Sequence, residues 1–256
     1  AFKKRRYSHV DWFWCRVVLG CDINNLGGGM IILTGASGGI GHAILSSLSK
    51  LDKVIAISHS KAINVDELDG VEPYQVDLTS EIEVNKFVSK IKSKLSKIVI
   101  IHAAAISLDN LAVKFDTKDW DQSMNLNLNS NFFLTRALLT TMIGDGWGRV
   151  IHISSIAGMK GVPGTIAYST AKTGLLGMSK VLANEYARFG VTSNVLILGY
   201  FNTGLIDTLN EKSRQKILAS IPSKRLGSPS NIVNAIDFLI KSEYVNGSTV
   251  NIDGGI

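Results

Sequence analysis

Tyr168 and Lys172 stand four positions apart in Tyr168-Ser169-Thr170-Ala171-Lys172, and on a helix that spacing sets both side chains on one face. An isolated tyrosine, with a pKa of about 10, exchanges protons poorly at neutral pH. A neighbouring ammonium favours the phenolate and makes proton transfer practical. The pair by itself is also an ordinary exposed helix face, so its weight depends on its company. That company includes Thr34-Gly35-Ala36-Ser37-Gly38-Gly39-Ile40-Gly41, a glycine-rich turn of the kind that lets a pyrophosphate approach a helix N-terminus. Ser155 lies thirteen positions before Tyr168, and Asn127 twenty-eight before Ser155.

These residues need a scaffold that presents them together. From Met30 onward, short β-branched runs alternate with longer helical patterns, the mark of a parallel sheet covered on both faces. Strands are expected at Met30 to Thr34, Lys53 to Ser58, Tyr74 to Val76, Ile98 to His102, Arg149 to Ser154, Thr192 to Leu198 and Thr249 to Ile252. Helices are expected near residues 40–50, 80–96, 118–142, 166–189, 211–220 and 229–241. The glycine-rich turn then joins the first strand to the first helix, and Ser155 falls at a strand end. The fold class that follows is α/β, one Rossmann-type doubly wound sheet of seven parallel strands.

The Gly-x3-Gly-x-Gly spacing, with Asn127, Ser155, Tyr168 and Lys172 at their mutual separations, resembles the short-chain dehydrogenase/reductase family from Ile31 to Gly255. The resemblance implies an NAD(P)-dependent oxidoreductase acting on a carbonyl or a secondary alcohol. It assigns Tyr168 as proton donor, Ser155 as hydrogen-bond donor to the substrate oxygen, Lys172 as ribose ligand and modulator of Tyr168, and Asn127 as a member of a proton relay. Alignment on the following Ile156-Ala157-Gly158 selects Ser155 over Ser154. Asn125 and Asn129 are expected to be surface or capping groups, and His42, His102 and His152 packing or loop residues. No metal site is expected, because no cluster of ligand spacing surrounds these histidines.

Around the cofactor, the resemblance implies contacts from Gly35, Ser37, Gly39, Ile40 and Gly41 at the phosphates, Asp77 and Leu78 at the adenine, and Thr203 at the nicotinamide, beside Tyr168 and Lys172. An acid at the end of the second strand would favour NAD. The chain instead reads Ile57-Ser58-His59-Ser60-Lys61 there, and Asp52 sits at the other end of the strand. Ser58 and His59, with Lys61 nearby, point to NADP(H). The family's Asn-Asn-Ala-Gly turn is His102-Ala103-Ala104-Ala105, so the cofactor contact at Ala103 is reduced to backbone. The usual Pro-Gly after the sixth strand is Leu198-Gly199.

Within the family the chain looks most like the 3-oxoacyl-acyl-carrier-protein reductases, in Ile106-Ser107-Leu108-Asp109-Asn110-Leu111 through Trp120, in Arg225-Leu226-Gly227 and in Asn251-Ile252-Asp253-Gly254-Gly255. A 3-oxoacyl thioester, linked to a carrier protein or coenzyme A, is therefore one candidate substrate. A sugar, polyol or other small alcohol is the rival, and a non-catalytic NADP-binding scaffold or sensor the alternative of another class. The loop Gly144-Asp145-Gly146-Trp147-Gly148 carries an acid where a carrier protein would favour a base, leaving Arg188 as the nearby cation. Substrate choice is expected to reside in residues 204–219. By analogy the protein is expected to be a cytoplasmic homotetramer.

Composition sets the remaining bounds. The 256 residues, 45% hydrophobic and 19% charged, suit one domain with a substantial core. Apolar runs such as Ile98 to Ile106 are about half a bilayer crossing, so no membrane span is expected. The net charge is +6 and the pI about 9.2, yet residues 1–29 hold five bases against two acids and both cysteines, Cys15 and Cys21. The rest is nearly balanced and thiol-free, which excludes thiol catalysis and a disulfide framework there and argues against nucleic acid as a partner. Residues 1–29, ending in Gly27-Gly28-Gly29, are expected to be an extension outside the domain, with a basic, aromatic membrane-surface element as the alternative. Residues 30–256 are expected to form the dinucleotide-binding reductase domain.

Overall fold

The computed structural model describes residues 28–203 and 210–256. Expectations for residues 1–27 and for the 204–209 part of the 204–219 segment lie outside these. Seven strands form one all-parallel sheet: β1 (Met30–Thr34), β2 (Lys53–Ser58), β3 (Val71–Gln75), β4 (Ile98–His102), β5 (Gly148–Ser155), β6 (Val191–Leu198) and β7 (Thr249–Ile252). Their spatial order is β3-β2-β1-β4-β5-β6-β7. The order reverses between β1 and β4, and the crevice outside the carboxyl ends of those strands is where such sheets bind ligands. β1 and β4 are buried along their whole lengths, as strands covered on both faces must be.

In chain order the helices are α1 (Gly39–Leu48), α2 (Glu81–Ile91), α3 (Thr117–Met124), α4 (Ser130–Asp145), α5 (Ala157–Lys160), α6 (Ile166–Tyr186), α7 (Glu211–Ser220) and α8 (Pro229–Lys241). On one face α2 and α4 close a core through Phe87, Ile91, Leu134, Leu138 and Met142, with Leu182 and Tyr186 of α6 against it. On the other face α1 and α8 pack Ile44, Leu45 and Leu48 beside Ile232, Ile236 and Leu239. Helix starts follow their caps: Ser80 accepts from the Glu83 N–H ahead of α2, and Ser228 with Asn231 forms a capping box ahead of α8.

Four of the seven expected strands match residue for residue. The third runs Val71–Gln75 rather than Tyr74 to Val76, because a proline is tolerated at a sheet edge and Pro73 sits on the outermost strand. The expected helix over 118–142 is interrupted by a π-turn at Asn125–Asn129. The expected helix over 166–189 ends at Tyr186, followed by a 3-10 turn and Gly190 at φ +71°. The short α5 has no counterpart in the expectation. Among the described residues, no helix is long and apolar enough to cross a membrane.

Candidate active site

The crevice floor is built by backbone. The Thr34 hydroxyl at the tip of β1 accepts the N–H groups of Ala103 and Ala104, each at 3.0 Å, and so ties the tips of β1 and β4 together. Gly35 follows at φ +67°, and a Cβ there would meet the Ala104 Cα at 2.7 Å. A Cβ on Gly41 would lie 2.2 Å from the Gly35 carbonyl, so the turn closes only on glycine at both places. α1 begins from an extended Gly38 with no side-chain cap, which leaves its first N–H groups directed outward for an anion. Ser37 and Ile40 are half-buried beside it. From the far side of the crevice the Thr203 hydroxyl donates to the Gly39 carbonyl at 3.0 Å. A glycine cradle of this shape with an uncapped helix start fits a pyrophosphate. The Ala103 N–H is taken by Thr34, so the backbone contact expected at Ala103 falls to its carbonyl.

At the tip of β2 the Ile57 carbonyl accepts from Ala36 and the Ser58 carbonyl from Val76. Ser58 is buried, while His59, Ser60 and Lys61 are exposed. Among the three groups singled out there, His59 and Lys61 are therefore the ones facing outward. Asp77 accepts from the Thr79 hydroxyl at 2.7 Å and its N–H at 2.9 Å. Chiefly the hydroxyl bond, opposed by partial burial and aided by the Thr79 N–H and the nearby His59, holds the Asp77 carboxyl below its usual range. Leu78 is buried next to it.

The reacting end is assembled from β5, α5, α6 and the π-turn. Ser155 closes β5, and its Oγ accepts from the Ala157 N–H at 3.1 Å. Two side chains on one face of α6 fasten that helix to the same turn: Ser169 donates to the Ala157 carbonyl at 3.0 Å and Thr173 to the Gly158 carbonyl at 2.7 Å. This brings Tyr168 beside Ser155, near enough for the serine hydroxyl to favour the phenolate. Lys172 is 2% exposed, with Nζ donating to the Ile153 carbonyl at 2.7 Å and standing 5.7 Å from the centre of the Tyr168 ring. Ser154 points elsewhere and donates to the Lys172 carbonyl at 2.9 Å, so it supports the helix rather than the crevice.

Burial lowers the Lys172 pKa to about 8. The sequence predicts a depressed Tyr168, and the structure gives the reverse. Burial raises its pKa above the usual tyrosine value, the Ser155 hydroxyl opposes, and Asp109 adds to the rise. The cause is burial, which outweighs the Lys172 ammonium standing 5.7 Å from the ring centre and bonded to Ile153.

Asn127 is wholly buried in the π-turn. Its Oδ1 accepts the Ile106 N–H and its Nδ2 donates to the Ile106 carbonyl, both at 2.9 Å, with a further bond to the Ser123 Oγ at 3.0 Å. The amide therefore clamps the loop after β4, which carries Asp109. Asn129 donates to Asn125 at 2.7 Å, so these two neighbours, at the helix ends that flank the π-turn, brace it across its own turn. Sequence reasoning missed Ser169 and Thr173; their four-residue spacing, one position after Tyr168 and Lys172, is the available signal. Arg188 and the 144–148 loop are not brought to this site. Gly148 bonds the Gly190 carbonyl where β5 and β6 begin, at the opposite edge of the sheet, and Arg188 stacks on Phe189 there.

Comparison with known proteins agrees with this architecture. Residues 29–214 match the short chain dehydrogenase family. The 3-oxoacyl-[acyl-carrier-protein] reductase FabG of Rickettsia bellii is 37% identical over 239 residues, covering 91% of this chain and 98% of that protein. The enzyme of the same name from Escherichia coli is 34% identical, covering 91% and 98%, and nodulation protein G of a Rhizobium species is 33% identical, covering 90% and 98%. Among solved structures, a protein from Agrobacterium tumefaciens provisionally described as a gluconate dehydrogenase superposes with a TM-score of 0.85 at 26% identity, covering 91% and 97%. With a family match over most of its length and relatives above one-third identity across nine-tenths of it, the chain belongs to the short-chain dehydrogenase/reductase family, and is an NAD(P)-dependent oxidoreductase.

Proposed function

We propose that this enzyme reduces a 3-oxoacyl thioester to the 3-hydroxyacyl thioester with NADPH. The observation that carries the reading is the convergence of Ser155, Tyr168 and Lys172 at the carboxyl edge of the sheet beside the glycine cradle. In it, Tyr168 Oη gives its proton to the substrate carbonyl oxygen, and a pKa raised by burial keeps that phenol protonated at neutral pH. The Ser155 hydroxyl steadies the developing oxyanion. Lys172, with its pKa of about 8, is mostly cationic at neutral pH and serves the nicotinamide ribose. Asn127 holds the loop that borders the substrate and belongs to the route that reprotonates Tyr168. The N–H groups of 39–41, with Asp77, Lys172 and Thr203, would hold the dinucleotide, which supplies the hydride when bound.

Preference for NADP(H) rests on the exposed His59 and Lys61 and on the lack of an acid at 58–61. The thioester rests on the curated relatives' names and on charge. Residues 204–225 hold five bases against two acids, the whole +3 surplus of residues 30–256. Lys212, Lys216, Lys224 and Arg225 are exposed, and among the described residues none of them forms an ion pair. α7 is moored to the crevice rim, since Arg214 bonds Asn202, next to Thr203, and Ser223 bonds Gly254. A basic cap suits the phosphates of coenzyme A or an acidic carrier protein. A small hydroxy acid or sugar is the second reading, favoured by the structural neighbour's description.

An NADPH-oxidation screen of acetoacetyl-coenzyme A, acetoacetyl-pantetheine, small ketones and keto-sugars tests it. Greatest kcat/KM on the phosphate-bearing thioester is expected, and a keto-sugar turned over with no thioester activity would overturn the proposal. The family's tetrameric assembly is carried forward as a proposal, supported by exposed Phe132 on α4 and Ile166 and Val181 on α6; a monomeric mass by light scattering would remove it.

A further inference from the structure

Behind the reacting groups, two imidazoles lie where no charge is wanted. His102 ends β4, and parallel register sets it beside His152 of β5. Their rings stack 5.0 Å apart at 7°, and both residues are fully enclosed, at 1% and 0% exposure. The pair is the middle of a longer buried line. His102 Nε2 bonds the Thr135 Oγ1 of α4 at 2.8 Å. His152 Nε2 makes a long 3.4 Å contact with the Ser193 Oγ of β6, and Ser193 donates to the Ser179 Oγ of α6 at 3.0 Å.

The hydrogens on this line can be assigned. Ser193 spends its only hydrogen on Ser179, so it must accept from His152, whose proton is therefore on Nε2. Nδ1 of His152 is left bare, and it has no partner. An imidazolium would place a second N–H in that unpartnered position, close to Lys172. Burial, with the Lys172 charge, depresses the pKa of His152 to about 3 and holds His102 well below the histidine range, with His152 adding to the latter.

The ends of the line matter for function. Thr135 stands eight residues after Asn127 and Ser179 seven after Lys172, about two helical turns in each case. His152 also precedes Ile153, whose carbonyl holds the Lys172 Nζ. We infer that Thr135, His102, His152, Ser193 and Ser179 form a buried polar tie across β4, β5 and β6 that holds the Asn127 helix and the Tyr168–Lys172 helix in fixed register, making the two neutral histidines positioning residues for Lys172. As a statement about catalysis this rests on the reductase reading; as a statement about protonation and coupling it does not.

Two measurements separate those levels. In the ligand-free full chain, nitrogen-resolved NMR of the histidine rings should find His152 as the Nε2–H tautomer and both buried rings neutral down to about pH 5. Titration of either between pH 5 and 8 would overturn the inference whatever the substrate. In the NADPH assay, Thr135→Val and Ser179→Ala should each lower kcat about threefold to tenfold and move the alkaline fall of the rate, with NADPH KM unchanged. The double variant should be no worse than either single one, and Thr135→Ser should restore the rate. Additive losses, or unchanged kcat and pH profile with only a lower Tm, would reduce the tie to packing. A wild-type chain that reduces no carbonyl would fail the reductase reading, and the NMR result would still decide the tie.

Discussion

At the scale of single residues the account turns on proton and charge placement. Tyr168 is half-buried with a raised pKa, so it waits as an acid, and Tyr168→Phe should cost about two to four orders of magnitude in turnover while NADPH still binds. Lys172 carries the pH dependence. Its pKa of about 8 means that ketone reduction should be level from neutral pH up to about 8 and fall above it as the ammonium is lost. A rate that rises through pH 8 to 9 would show that the charge is not needed. The same burial predicts a conflict between stability and function. A folded pKa about 2.5 units below the free value corresponds to roughly 3 kcal/mol of cost at neutral pH. That cost shrinks as pH rises from 8 towards 10.5, where the unfolded chain holds the extra proton. Lys172→Met should therefore match or exceed the wild-type Tm at pH 7 with activity abolished, and a Tm lowered by several degrees would contradict it. The Tyr168–Lys172 spacing was legible in the sequence; the direction of the Tyr168 shift was not, because it depends on burial among elements distant in the chain.

Among the elements, strands were the most legible, since β1, β2 and β4 are short apolar runs between clear breakers and β7 alternates polar with apolar residues. The π-turn at Asn125–Asn129 was hidden, because its cause is long-range. Asn127 reaches back to both backbone groups of Ile106, twenty-one positions earlier, and a single widened turn opposite that loop satisfies them. Asn127→Ala would leave a buried N–H and carbonyl unpaired, a loss of about 2–4 kcal/mol, read as a lower urea midpoint with unchanged m-value. Equal midpoints would mean that the loop finds other partners. The glycine turn shows the converse case. Its pattern was plain in the sequence, while the reason Gly35 and Gly41 cannot change lies in contacts to Ala104 and to the turn's own carbonyl. That Thr34 uses the Ala103 N–H was likewise invisible without the register of β1 on β4.

For the whole molecule, charge and topology act together. The strand-order reversal opens the crevice, and Lys212, Arg214, Lys216, Lys224 and Arg225 gather on residues 211–225, which Arg214 ties to Asn202 at its rim. Arg188 illustrates what sequence cannot give: it is near in alignment terms but sits at the far edge of the sheet, one helix length from Tyr168. Cofactor choice also belongs to this scale, because it depends on the tips of β2 and β3 meeting. Replacing His59 and Lys61 together with alanine should raise NADPH KM about tenfold or more, through loss of charge-assisted phosphate bonds, and leave NADH KM unchanged. An equal rise for both cofactors would reject NADP selection by these residues. The most direct test of the central claim is NADPH oxidation with acetoacetyl-coenzyme A by the wild-type and Tyr168→Phe chains, with NADPH affinity measured on both. The account predicts 3-hydroxybutyryl product from the wild type, at least a hundredfold loss in the variant and equal NADPH affinity. Turnover by the variant near the wild-type rate would contradict it.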